Sequence, residues 1–173
     1  EDIVPAVESG QADIAAAGLA ITTGRGQQVA FGPTYDEVSE HLIYKLNTGR
    51  PRTLDDVVGA RLEVAAGSNH AETLERLRDT HPDLVWIENP VAENEELLVA
   101  VSSGEIDYTL ADSNEFAVSQ LFHPELRIAL DLEKDRRLAV ANDHLRPDAK
   151  VTRTPLGNTV HHLCAGFVHK LHN

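Results

Sequence analysis

Val7-Glu8-Ser9-Gly10-Gln11-Ala12-Asp13, followed by Ile14-Ala15-Ala16-Ala17-Gly18-Leu19-Ala20-Ile21, closes a helix and enters a strand. Upstream, Ile3, Val4 and Val7 share one helical face over residues 2–9, and Gly10 stands where a helix takes its left-handed closing residue. The run after Gly10 is small and apolar, short enough for a buried parallel strand. Helix, glycine and strand make half of a βαβ unit. The same order returns in the second half of the chain as Val101-Ser102-Ser103-Gly104-Glu105-Ile106-Asp107. Two copies of one junction predict two α/β units.

Between the copies the alternation continues. Thr53-Leu54-Asp55-Asp56 has capping-box spacing for a short helix, and residues 61–66 read as a strand. Asn69 and Glu72 open a helix that reaches about residue 80, followed by a strand at 84–88, a helix at 93–103 and a strand at 108–111. A helix at 113–122 and a strand at 126–130 complete the pattern, which implies a parallel α/β sheet over 47–131. Val38-Ser39-Glu40-His41-Leu42-Ile43-Tyr44-Lys45 alternates in polarity and precedes Asn47-Thr48-Gly49-Arg50-Pro51, as expected of a crossing strand and a boundary. Arg137-Leu138-Ala139-Val140-Ala141 can cross back. The expected division is a first lobe with its crossing strand over 1–46 and a second lobe over 47–131. Residues 132–173 then hold the return crossing and a C-terminal segment packing on the first lobe. In that segment Val160, Leu163, Cys164, Phe167, Val168 and Leu171 fall on one helical face, with His161, His162, His169 and His172 opposite.

The hydrophobic share of 42% over 173 residues is that of an ordinary globular chain. Fifteen Lys plus Arg against 28 Asp plus Glu give a net charge of −13, a field that repels phosphate backbones and excludes nucleic acid as the expected partner. The single cysteine, Cys164, has no partner for an internal disulfide. No apolar run approaches the roughly 18 residues of a membrane-spanning helix. The chain begins at Glu1 and holds no methionine, so an upstream segment is expected.

Chemistry-bearing residues collect in the loops after strands, where α/β sheets bind ligands. Gly18 to Arg25 offers hydroxyls at Thr22 and Thr23 and one guanidinium at Arg25. That fork suits a carboxylate, and an ordinary surface arginine reads the same way. Gly67-Ser68-Asn69-His70 begins a helix whose N–H groups can take an anion, while Ser68 or Asn69 serves equally as a plain N-cap and His70 reads as a first-turn surface residue. Asp112 ends a strand and starts a helix; it can pair with a ligand ammonium or cap that helix. The histidines of the C-terminal segment lie opposite Cys164, so a solvated face is expected there and no metal site. Glu93, Glu95 and Glu96 read as a helix start favoured by the dipole. No nucleophile triad, phosphate loop or dinucleotide fingerprint occurs, so neither a catalytic constellation nor a cofactor is expected.

The opening motif, with Ile21-Thr22-Thr23-Gly24-Arg25, Val29-Ala30-Phe31 and Pro33-Thr34-Tyr35, resembles the periplasmic solute-binding proteins of family 3. Phe31-Gly32-Pro33, Val64 to Glu72, Gly104 to Ser113 and His123-Pro124-Glu125-Leu126 are similar to the N-terminal domain of the membrane-bound lytic murein transglycosylase F group. The likeness covers about residues 1–142. It implies a two-lobed, type II periplasmic-binding-protein-like α/β clamshell that binds a small ligand in its cleft and closes about a hinge. By resemblance, Arg25 holds the ligand carboxylate, Ser68 and Asn69 assist, Asp112 holds the amino group, and Gly18 and Ala20 line the pocket. Gly24 stands where the family pattern has an acidic residue and Ala20 where it has a hydroxyl. Family members also carry a strand, helix and strand upstream of the position of Glu1. A first lobe truncated in this way has an open sheet edge that invites self-association.

The resemblance implies a non-catalytic regulatory module of a peptidoglycan lytic transglycosylase, partnered with a lysozyme-like catalytic domain. The location expected is periplasmic, with outer-membrane association of the full-length protein, and the ligand a muropeptide or an amino acid. The alternative is the amino-acid-binding receptor of an ABC transporter. An enzyme on the same fold would have to draw on Asp112, Glu72 and His70.

Overall fold

The glycine junction folds as its sequence requires. Helix α1 (Ile3–Glu8) buries Val4 and Val7, Gly10 takes φ 72°, and β1 (Ile14–Ala16) comes next. The computed structural model describes residues 3–141 and the backbone of residues 142 and 167–169. The chain continues through α2 (Arg25–Gln28), β2 (Ala30–Phe31), β3 (Asp36–Lys45), a 3-10 turn at Leu54–Val57 and β4 (Glu63–Ala65). Then come α3 (Asn69–Arg78), β5 (Ile87–Asn89), α4 (Asn94–Ser103), β6 (Tyr108–Asp112), α5 (Ser113–Phe122), β7 (Leu126–Leu138), β8 (Ala141–Asn142) and β9 (Phe167–His169). The second copy of the junction repeats the first: α4 stops at Gly104, φ 87°, and leads into β6.

Two compact units result, one of Glu1–Glu37 with Arg136–Asn173 and one of Val38–Asp135. The boundaries therefore fall at 37/38 and 135/136 instead of 46/47 and 131/132. Strand β3 joins the second unit because Glu40 to Tyr44 pair antiparallel with Asp112 to Tyr108 of β6. That unit has a sheet in the order β6-β3-β7, and β4 pairs with β5 in parallel. A parallel bridge from Leu62 to Tyr108 ties β4 to β6. The sheet is thus mixed, not the all-parallel one that helix–strand alternation implies.

Strand β3 is covered on both faces. Leu42 and Tyr44 enter one core with Val64, Ala71 and Leu74, and Ile43 enters another with Leu98, Val101 and Phe116. The period of two in the strand places successive residues in opposite cores. Helix α3 therefore serves the first core and α4 and α5 the second.

The first unit has a sheet in the order β2-β8-β1-β9. Strand β1, expected to be parallel, is antiparallel to both neighbours, with Ala15 opposite Ala141 and Val168. Both neighbours come from the returning half of the chain, which enters the unit in the opposite direction. They also occupy both sides of β1, so that strand is interior to its sheet, whose edges among the described residues are β2 and β9. Residues 167–169 are extended, not part of the expected amphipathic helix, because their backbone groups complete this ladder. The rest of the expected C-terminal helix and its histidine face lies outside the described residues.

Smaller differences have local causes. Thr53 and Asp56 do form a capping box, but the turn they open is 3-10. The strand expected at 84–88 forms at Ile87–Asn89, since Leu84 turns into the core at 2% exposure ahead of it. The strand expected at 126–130 extends to Leu138.

Candidate functional site

In the first unit the loop after β1 gathers Gly18, Ala20 and Arg25. Gly18 takes φ 64°, a left-handed turn that a side chain would strain. Ala20 is buried and bridges Leu138. Arg25 opens α2, where its backbone N–H donates to Thr22 Oγ1 at 3.2 Å. Its guanidinium donates to the Ala20 carbonyl at 3.5 Å, which folds the side chain back over the loop. The three expected residues are one local arrangement.

In the second unit two helix N-termini come together. Ser68 caps α3, its Oγ accepting the Ala71 N–H at 3.2 Å, so the plain cap reading holds for this residue. Asp112 caps α5 in a reciprocal box with Glu115, whose Oε2 accepts the Asp112 N–H at 3.3 Å. Asn69 Nδ2 donates to Asp112 Oδ2 at 3.5 Å across 43 residues of chain. Both side chains are nearly buried. The anionic end of Asp112 thus meets the donor end of Asn69 at the positive poles of two helices.

His70 departs from its sequence reading. It is fully buried, with Nδ1 2.5 Å from Glu40 Oε1 and Nε2 3.8 Å from Glu115 Oε2. The surface expectation fails because α3 packs the first turn against β3, where Glu40 is also fully buried. A ring facing a carboxylate on each nitrogen can give a proton to both only as imidazolium. Burial works against that charge, but the attraction of Glu115 and Glu40 outweighs it and raises the His70 pKa to about 9. Burial likewise acts to raise the Glu115 carboxyl, while His70, Asn94 and the Asp112 N–H prevail and hold it below the ordinary range. Glu40 and Glu115 escape a motif search. Their signals are an acid in register with Leu42 and Tyr44 on an apolar face, and a Glu three residues after an N-cap Asp.

Glu40, His70 and Asp112 also offer potential metal-ligand atoms that all lie within 4.8 Å of one another. Two ligands of a tetrahedral zinc with bonds of 2.0–2.1 Å stand about 3.3 Å apart. His70 and Glu40, at 2.5 Å, stand at a hydrogen-bond separation, closer than two ligands of one such ion.

Elsewhere, Ser102 Oγ lies 2.9 Å from His123 Nδ1 and donates to Glu125. Hydroxyl and carboxylate sit at the same ring nitrogen, whereas nucleophile activation needs them on opposite ones.

The family model described as bacterial extracellular solute-binding proteins, family 3, matches residues 1–116. Membrane-bound lytic murein transglycosylase F 1 of Alkalilimnicola ehrlichii is 41% identical over 142 residues, covering 82% of this chain and 29% of that protein. The transglycosylase F of Pseudoalteromonas translucida is 41% identical over 138 residues, covering 80% of this chain and 29% of its own length. The chain therefore spans less than a third of these curated relatives. Among solved structures, an ancestral arginine-binding protein bound to arginine superposes with a TM-score of 0.71 at 22% identity, over 82% of this chain and 62% of that one. A cysteine-binding protein from Campylobacter jejuni gives 0.70 at 18% identity, over 82% and 55%. Likeness at these identities shows the fold, which is the α/β type II periplasmic-binding-protein fold.

Proposed function

The chain belongs to the bacterial extracellular solute-binding proteins of family 3, and from that premise we propose that it is the ligand-binding, non-catalytic regulatory module of a peptidoglycan lytic transglycosylase. The observation that carries this reading is the 41% identity over 142 residues to a lytic murein transglycosylase F, a likeness spread across most of this chain. Its ligand is a muropeptide or an amino-acid-like molecule, its location periplasmic, and its partner a lysozyme-like catalytic domain in a full-length protein associated with the outer membrane. Arg25 takes the ligand carboxylate, with Gly18 and Ala20 giving close backbone approach. Asp112 takes the ammonium, and Ser68 and Asn69 present the start of α3. The burial of Asp112 and its contact with Asn69 support the second assignment, since a charge-assisted bond gains strength away from water.

A thermal-shift screen with muropeptide stem peptides and free amino acids, read also by Trp86 fluorescence, tests the proposal. Selective stabilisation by stem peptides is expected, and Arg25→Ala should remove it. A response confined to one free amino acid would make the chain a transport receptor instead.

A further inference from the structure

His70 stands directly behind Asn69 and Asp112, and its role in binding rests on the assignment of those two residues to the ligand ammonium. The contacts form a closed circuit. His70 is next to Asn69 in α3 and faces Glu115 of α5 at 3.8 Å; Glu115 accepts the Asp112 N–H at 3.3 Å; Asp112 accepts from Asn69 at 3.5 Å. Glu40 of β3 pins the far side of the ring at 2.5 Å.

We propose that His70 is a positioning residue for ligand recognition: clamped between Glu40 and Glu115, its ring fixes where the Asn69 amide and the Asp112 carboxylate point. Among the described residues, the titratable groups facing it are Glu40 from β3, Asp112 from the end of β6 and Glu115 from α5. All are acids, so the ring is the cationic member of the cluster. Loss of its proton removes the charge that faces Glu115 at 3.8 Å, while Nδ1 can keep its hydrogen bond to Glu40. Release of Glu115 withdraws the acceptor of the Asp112 N–H and loosens the α5 cap that aims Asp112. The pKa near 9 places this event above neutral pH, so the clamp is closed under ordinary conditions.

The test tracks the Asn69 side-chain amide and the Asp112 backbone amide by NMR from about pH 6 to about pH 10, alongside the His70 ring. In the wild-type chain all three should move through one transition. In His70→Gln the two amides should be displaced and indifferent to pH, and in Glu115→Gln the transition should shift to lower pH. Calorimetric titration with a muropeptide stem peptide should show affinity falling about tenfold through the same transition, as the loss of one charged hydrogen bond predicts. His70→Gln should bind about tenfold more weakly at pH 7 with no further pH dependence. Amides that ignore both the ring titration and the substitution would reduce His70 to a packing residue and overturn the proposal. Should His70→Gln fail to fold, the wild-type titration and Glu115→Gln decide by the same criterion. Amides that move with the ring in a chain that binds no stem peptide would support the positioning role and refute the muropeptide reading.

Discussion

Glu40 and His70, 30 residues apart in sequence, meet at 2.5 Å with no part of either exposed. A buried ion pair adds little over an apolar pair of the same shape, yet removing one partner strands the other, at about 3–5 kcal/mol. Glu40→Leu should therefore be strongly destabilising, and Glu40→Leu with His70→Leu should recover much of the loss. Chemical denaturation of both variants checks this coupling.

The same pair makes stability depend on pH. The His70 pKa is raised from 6.5 to about 9, so the folded chain holds a proton that the unfolded chain releases. The stabilisation is fully present below about pH 6.5 and is lost as pH rises through about 9, on the order of 3 kcal/mol in all. Glu115, held below the ordinary range, contributes in the opposite sense, losing its share as pH falls through its folded pKa. The melting temperature of the wild-type chain should fall on the alkaline side, and His70→Gln should flatten that limb.

Much of this architecture is legible in the sequence because it rests on local chemistry. Gly10 and Gly104 end helices in left-handed turns, and the Asp112 and Glu115 spacing writes a capping box. What stays hidden depends on partners distant in the chain. The alternation of Val38 to Lys45 announces a strand, but not that both faces are covered, which is what buries Glu40. His70 occupies a first helical turn, ordinarily an exposed position, and only the packing of α3 on β3 turns it inward. The antiparallel neighbours of β1 come from 141–142 and 167–169, and no pattern at residues 14–16 encodes them.

Gly104 gives a direct measure of the local term. A Cβ built there would have only Lys45 Nζ near it, at 4.0 Å, so space is not the constraint. Its φ of 87° is, because an L-residue in the left-handed region costs about 1–2 kcal/mol. Gly104→Ala should lose about that much and Gly104→Asn less, as read by urea denaturation with an unchanged m-value.

Arg61 holds the same junction from outside. Its guanidinium donates to Asp107 at 3.1 and 3.3 Å and to the Gly104 carbonyl at 3.1 Å, and Asp107 also accepts the Arg61 backbone N–H at 2.9 Å. These bonds hold the Asp107 carboxyl below its ordinary range. The pair is half exposed, so its charge is screened, whereas the carbonyl contact at the end of α4 is not a matter of charge alone. Arg61→Lys, which lacks the planar fork, should melt below wild type, and Arg61→Ala lower still. Added salt should narrow both gaps without closing them.

Asp112 carries two roles that one substitution separates. As the N-cap of α5 it accepts from the first helical turn, and asparagine caps a helix about as well as aspartate. As the assigned partner of a ligand ammonium it must carry charge, which asparagine lacks. Asp112→Asn should therefore melt within about 0.5 kcal/mol of wild type, the tolerance of a conserved cap. It should nevertheless bind a stem peptide at least about tenfold more weakly, since a charged hydrogen bond becomes a neutral one. Asp112→Ala should lose both cap and binding, with about 1 kcal/mol of stability gone. Thermal melts and calorimetry on the two variants distinguish the roles. If Asp112→Asn bound the peptide as wild type does, the carboxylate would be a helix cap alone, and the ammonium would have to be held by another group.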